Sequence, residues 1–320
     1  MNRLAVNTAF LGKLRDRYLD YSPDATLEQR IRRAGEIEGI EGVELCYPAD
    51  FADPQELRKM LDDWGLGISG VNVRSRRSNK WLRGSFSSAI PAEREDVAQE
   101  FKRAIDLSVE LGCYRITTCP LNDGHDYVFE MNYMDAYAYA EETFRRICRH
   151  DDRVRICIEY KPADPRAHCL FPSAGETVSF CQTANEPNLG VTFDVGHSLM
   201  SGERPAQAAS MIHRAKRLFY VHLNDNNRTW DWDMVPGAYN LWDFVELFFY
   251  LGELGYSDDW YAFDVMSKEV NPQQVLKLAV DTTRKMEALA GRIEREEMLS
   301  LMSQRNPVES LEYLWRAVLQ

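Results

Sequence analysis

The sequence predicts a (β/α)₈ barrel with a C-terminal helical extension, and three observations lead there. Short runs rich in β-branched and aromatic residues recur eight times. Each is separated from the next by a longer segment with helical periodicity, the pattern of repeated βα units. From Leu4 to Val265 the eight runs cover about 260 residues, close to the ~250 of a complete barrel.

The expected strands are Leu4–Thr8, Gly42–Cys46, Gly67–Val73, Tyr114–Thr118, Val154–Glu159, Gly190–Asp194, Phe219–Leu223 and Tyr261–Val265. Between them, Glu93–Leu111, Tyr133–Arg149 and Leu241–Leu254 carry apolar residues three and four apart and read as outer-ring helices. Pro272–Arg292 reads as the last barrel helix, and Glu294–Leu319 as a further amphipathic stretch interrupted near Asn306–Pro307. The expected division is a catalytic barrel over residues 1–285 and an extension over 286–320, the latter at a subunit interface. A doubly wound nucleotide-binding sheet would want a glycine-rich turn after its first strand, and FLGKLRDR is not one.

Composition narrows the function. Among 320 residues, 50 acidic side chains outnumber 38 basic ones, and a formal charge of -12 repels nucleic-acid backbones. Seven cysteines form no CxxC pair and mostly sit in apolar runs, which fits reduced thiols in a cytoplasm. The start MNRLAVNTAF lacks a long apolar segment and no stretch approaches a membrane span, so neither export nor anchoring is expected.

In a barrel, polar residues at the C-terminal ends of strands converge on the mouth. Four successive strands end in ionisable residues: Glu159 in CIEY, Asp194 in VTFD, His222 in YVHLND and Asp264 in YAFD. Three carboxylates and an imidazole gathered without a cation would repel and be desolvated at a cost of several kcal/mol, so a divalent ion is the natural compensation. A second group lies nearby: His197, three residues after Asp194, and Asp231 with Asp233 in WDWD, whose alternation would turn both aspartates one way if the segment is extended. Lys161, two residues past Glu159, points into the same mouth if extended and could stabilise a substrate oxygen.

Further candidates for substrate binding are His125 in the loop LNDGHDY, His197 itself, and the aromatic surfaces of Trp81 and Trp230, with Phe129 and Trp232 beside them. Arg74, Arg76, Arg77 and Lys80 after the third strand offer a weaker reading as a phosphate grip, since no glycine-rich phosphate loop accompanies them.

These motifs resemble the xylose isomerase-like barrels, and among them the two-metal aldose isomerases, with L-rhamnose isomerases the nearer pattern. IEYKP is similar to the family's Glu-x-Lys strand end, FDVGH to its Asp-x-x-His element, HLND to its metal histidine and DWDMVPG to its paired-aspartate loop. The resemblance implies one or two divalent ions, Mn²⁺ foremost, with Co²⁺, Mg²⁺ or Zn²⁺ as alternatives. It places a structural ion on Glu159, Asp194, His222 and Asp264, and a catalytic one on His197, Asp231 and Asp233 with Asp194. Lys161, with Glu159 and Asp264, would do the chemistry on a small free sugar, moving hydrogen between C1 and C2 in a homodimer or homotetramer.

The resemblance has departures. Cys119 and Pro120 stand where many relatives carry an aromatic-glycine pair. Competing activities on the same architecture are epimerisation of a ketose at C3 with Glu159 and Asp264 as opposed bases, and lyase chemistry on a sugar conjugate. Apurinic DNA endonucleases share the architecture too, but six histidines and the acidic balance disfavour them.

Overall fold

The computed structural model describes residues 1–15, 18–77, 79–266 and 270–319. Eight parallel strands close into a barrel: β1 Arg3–Asn7, β2 Gly42–Tyr47, β3 Gly67–Val73, β4 Arg115–Thr118, β5 Arg155–Glu159, β6 Leu189–Asp194, β7 Leu218–Leu223 and β8 Trp260–Phe263, with β8 pairing back onto β1. All eight expected strands are present, with ends that differ by at most two residues. The largest consequence is that Asp264 lies just past β8 instead of inside it.

The outer layer consists of α1 Leu27–Gly35, α2 Pro54–Trp64, α3 Pro91–Glu110, α4 Tyr133–Cys148, α5 Ala174–Ala184, α6 Val195–Met200, α7 Pro205–Arg214, α8 Leu241–Glu253 and α9 Pro272–Ala290. α10 Arg295–Gln304 and α11 Pro307–Leu319 form the extension. Arg305, in the left-handed region at φ 53°, ends α10, and Pro307 opens α11, which is the interruption expected near Asn306–Pro307. α9 continues to Ala290, so the break between barrel and extension follows it and does not fall at residue 285. Buried Met298, Tyr313 and Val318 join the extension to the main core.

Two apolar regions result from the period-2 alternation of the strands. Outward-facing residues such as Val6, Leu45, Ile158, Phe193 and Leu223 pack under the helices in the main core. Inside the barrel, Ala5, Cys157, Tyr220, Trp260 and Ala262 form a smaller cluster. Stepping two residues from the inward-facing Cys157, Tyr220 and Ala262 leads to Glu159, His222 and Asp264. The apolar layer is thus a floor on which an ionisable layer stands. Among the described residues no helix is long and apolar enough to cross a membrane, and all seven cysteines are unpaired.

Candidate metal centre

The ionisable layer is assembled by the strand ends and by one short helix. Asp194, ending β6, also caps α6: its Oδ1 accepts the backbone N–H of His197 at 2.8 Å, which turns the chain so that His197 faces back over the barrel. The turn is tight. A Cβ on Gly196 would stand 1.7 Å from Asn224 Oδ1, so only glycine lets α6 approach the segment after β7.

Glu159, Asp194, His222 and Asp264 each offer a ligand atom, and these atoms lie within 4.8 Å of one another. His222 Nδ1 is the hub, 3.5 Å from Glu159 Oε1, 3.5 Å from Asp264 Oδ2 and 3.8 Å from Asp194 Oδ2. Donors each ~2.1 Å from one tetrahedral ion stand about 3.4 Å apart, so this is the spacing of ligands sharing a cation. His222 Nδ1 and Asp264 Oδ1 are buried without a hydrogen-bond partner, which a cation would supply. The four residues fit a divalent ion by donor type, spacing and unsatisfied valence.

Behind them stand residues the sequence reading missed. Glu44, fully buried in β2, takes His222 Nε2 through its Oε2 at 2.8 Å. Its Oε1 accepts from Asn7 Nδ2 at 2.8 Å and Asn72 Nδ2 at 3.0 Å. The arrangement leaves Nδ1 of His222 for the centre. Asn224 similarly donates to Asp194 Oδ2 at 2.7 Å. The one local signal for Glu44 was an acid inside the otherwise apolar run GVELCY.

A cavity of about 80 Å³ opens above the centre, lined by Glu159, Asp264, Lys161, His197, Asp231 and Asp233, with Cys119, Arg74 and Arg76 on its other walls. Lys161 Nζ lies 2.8 Å from Asp231 Oδ2 and 3.0 Å from Asp164 Oδ2. His197 Nε2 reaches the same Asp231 oxygen at 3.1 Å. The loop that brings Asp231 here is tied at its base by Asp225, which accepts the backbone N–H groups of Tyr239 and Asn240.

Charges in this cavity shift one another. Burial works against a charged Lys161, but Asp231 and Asp164 outweigh it and hold the ammonium above its ordinary range. The same contest, with Asp194 and Asp231 prevailing, raises His197 to about 9. Asp231 is held well below the usual carboxylate range by Lys161 and His197 despite its burial. Burial, reinforced by Glu159 and Asp231, pushes Asp194 up to about 7 against the pull of His197 and His222. Burial opposes a charged His222, yet Glu44 and Asp264 keep its pKa well above the ordinary histidine value.

Of the second expected group, the structure brings His197 and Asp231 into contact and sets Asp233 in the same cavity wall. It does not gather the three, among the described residues, into a cluster of mutually close donor atoms. The alternation expected of WDWD is broken, because Asp233 sits in the left-handed region at φ 48° and the segment is not an extended strand.

The proposed sugar contacts outside this cavity lie elsewhere. Trp81 is 3% exposed, donates from Nε1 to Asp96 at 3.1 Å, and borders a separate depression of about 770 Å³ beside α3 and α4. His125 stacks on His168, with ring centroids 4.9 Å apart, and meets Tyr133 Oη. A ribbon pairing Gly124–His125 with His168–Cys169 holds it there. Trp230, Trp232 and Phe129 are exposed on loops, and Asp123 is a buried acceptor for Ser85 and Ser87. The basic cluster after β3 divides: Arg74 and Arg76 line the cavity, whereas Arg77 and Lys80 pair with Glu100 on α3.

Comparison with known proteins agrees with this architecture. Residues 31–286 match the family model of the xylose isomerase-like TIM barrel. A xylose isomerase of Thermus thermophilus is 26% identical over 205 residues, 58% of this chain and 50% of that protein, so the match spans about half the relative's length. Among solved structures, an L-ribulose 3-epimerase superposes with a TM-score of 0.73 at 18% identity, covering 91% of this chain and 96% of that one. The D-psicose 3-epimerase of Clostridium cellulolyticum H10 superposes with a TM-score of 0.69 at 16% identity, covering 89% and 99%. At such identities the superpositions establish a shared barrel, and the match over most of the chain establishes more: this protein belongs to the xylose isomerase-like TIM barrel family.

Proposed function

We propose that the chain is a divalent-metal-dependent sugar isomerase that interconverts an aldose and a ketose by moving hydrogen between C1 and C2 of a small free sugar. The observation that carries this reading is the clustered set Glu159, Asp194, His222 and Asp264, of which Glu159 and Asp264 line one cavity with the ammonium of Lys161. The similarity to a xylose isomerase supports it. A divalent ion on these four residues, Mn²⁺ foremost with Co²⁺, Mg²⁺ or Zn²⁺ as alternatives, would polarise two adjacent substrate oxygens when bound.

The chain's own residues do the rest. Going from aldose to ketose, the hydrogen on C2 moves to C1, O2 loses a proton and O1 gains one. Lys161 Nζ, kept cationic by Asp231 and Asp164, donates a hydrogen bond to the oxygen that accumulates charge. His197, tied through Nε2 to the same Asp231 oxygen, borders the cavity beside it. Glu159 and Asp264, bordering the cavity, are the acceptors within reach of a substrate hydroxyl.

A second reading, epimerisation of a ketose at C3, is favoured by the superpositions on 3-epimerases over about nine-tenths of the chain and by the two carboxylates Glu159 and Asp264 on the cavity wall. The deciding experiment is to strip the protein with chelator, restore Mn²⁺ or Co²⁺, and follow a panel of pentoses, hexoses and deoxyhexoses by NMR. Metal-restored exchange between C1 and C2 supports isomerisation. Inversion at C3 with no aldose formed replaces it by epimerisation.

We also propose that the chain self-associates as a dimer or tetramer through α11, whose Val308, Leu311, Trp315 and Leu319 are exposed at helical spacing. A monomer in gel filtration at two concentrations would remove this proposal.

A further inference from the structure

Glu159 Oε1, which stands 3.5 Å from His222 Nδ1 in the centre described above, also lies 3.4 Å from His197 Nδ1. That nitrogen is buried without a hydrogen-bond partner, and the His197 side chain is only 7% exposed. His197 Nε2 is already engaged by Asp231, so Nδ1 is the atom left to take a ligand. Cys119, on the segment after β4, completes the group: Cys119, Glu159 and His197 each offer a donor atom, all within 4.8 Å of one another.

We propose that Cys119, Glu159 and His197 form a second cation site, bridged to the first centre by Glu159, that takes a thiophilic divalent ion such as Zn²⁺ or Co²⁺. The 3.4 Å between His197 Nδ1 and Glu159 Oε1 matches the ~3.4 Å expected of two light-atom ligands on one tetrahedral ion. Three protein ligands with a fourth position free is the pattern of catalytic zinc sites, and the free position would face the cavity that all three residues line. A thiolate ligand selects Zn²⁺ or Co²⁺ over Mn²⁺ or Mg²⁺. The two centres would therefore differ in the ion they prefer.

This assignment departs from the one the sequence resemblance implies, in which His197, Asp231 and Asp233 with Asp194 hold the second ion. Among the described residues the donor atoms of His197, Asp231 and Asp233 do not gather into one mutually close set, whereas those of Cys119, Glu159 and His197 do. The site stands apart from the isomerase reading, since it concerns which atoms take an ion and not which sugar is turned over.

The test is cobalt binding by the full-length chain, stripped with chelator and kept reduced, followed by calorimetry and near-ultraviolet absorption. The expected wild-type result is two Co²⁺ per chain, with a sulfur-to-cobalt charge-transfer band growing with one of them. Cys119→Ser should lose the band and one of the two equivalents, whereas His222→Ala should lose one equivalent and keep the band. Two ions without the band, or a Cys119→Ser chain that still takes both as tightly, overturns the site. A band with a single ion overturns it too, because Cys119 would then serve the first centre. None of these readouts depends on turnover, so they are distinguishable from a failure to find a sugar substrate.

Discussion

Glu44→Gln is the substitution whose outcome the structure determines most closely, because the two residues are nearly isosteric and every contact around them is directional. Glu44 is fully buried, with Oε2 on His222 Nε2 at 2.8 Å and Oε1 facing the Nδ2 groups of Asn7 and Asn72 at 2.8 and 3.0 Å. Asn7 cannot turn over at no cost, since its Oδ1 already accepts from the Ala9 backbone N–H at 3.0 Å. A glutamine here has two orientations and neither works. With its carbonyl toward the asparagines, its NH₂ donates to His222 Nε2, forces the ring proton onto Nδ1 and blocks the atom that faces Glu159, Asp194 and Asp264. With its carbonyl toward His222, its NH₂ opposes two donors in a site without solvent.

Losing such an outer partner costs roughly 10- to 100-fold in metal affinity. That corresponds to about 1.4–2.7 kcal/mol. The assay is competition of the stripped protein against a fluorescent chelator for Mn²⁺ or Co²⁺, with circular dichroism as a check on folding. A Glu44→Gln protein that folds normally and binds within about twofold of wild type would refute the claim that Glu44 sets the tautomer of His222.

Three further outcomes follow from the same geometry. Lys161→Met should keep the ion yet lose about 10²-fold or more in kcat, read by steady-state kinetics beside metal analysis, and full activity would remove Lys161 from the mechanism. Ion affinity should rise with pH through neutrality. Asp194 at about 7 and His222 above its ordinary range both hold protons that an incoming ion must displace, so raising the pH removes that competition. Calorimetry in buffers of different ionisation enthalpy should detect the released protons, and an affinity flat across neutral pH contradicts the assignment. Chelation should lower the thermal midpoint, because an ion at ~100 times its Kd stabilises the folded chain by about 2.7 kcal/mol. With an unfolding entropy of about 2.1 cal/mol/K per residue over 320 residues, this is a shift of about 4 °C in scanning calorimetry.

The barrel was legible because its signals are local. A β-branched run ending in Glu159, Asp194 or His222 needs no knowledge of the rest of the chain to be read as a strand with a reactive end. Two of the helices not named from the sequence lack that clarity: α5, AGETVSFCQTA, has no strongly polar face, and α7 is rich in alanine. Glu44 escaped because its meaning resides in His222, 178 residues away, and in two asparagines on neighbouring strands. The aromatic candidates do not line this cavity, for a related reason. Whether a tryptophan faces a cavity or a core is decided by what packs on it, and Trp81 is taken by Asp96 of α3. The paired aspartates were located but not oriented, since the left-handed residue at Asp233 leaves no trace in the pattern WDWD.

The position of Lys161 separates two chemical roles that its sequence context left together. An ammonium has three donors, and Asp231 and Asp164 occupy two of them. The third is the one available to a substrate. A lysine acting as general base would have to be neutral, which two close carboxylates oppose, whereas a lysine acting as an oriented donor needs its charge kept and its rotation restrained. Asp231 supplies both, and by holding His197 Nε2 at the same oxygen it sets that ring's Nδ1 toward Glu159. Asp231 therefore anchors both the Lys161 ammonium and the His197 ring through one oxygen, Oδ2, and its Oδ1, buried without a hydrogen-bond partner, is the oxygen left to accept.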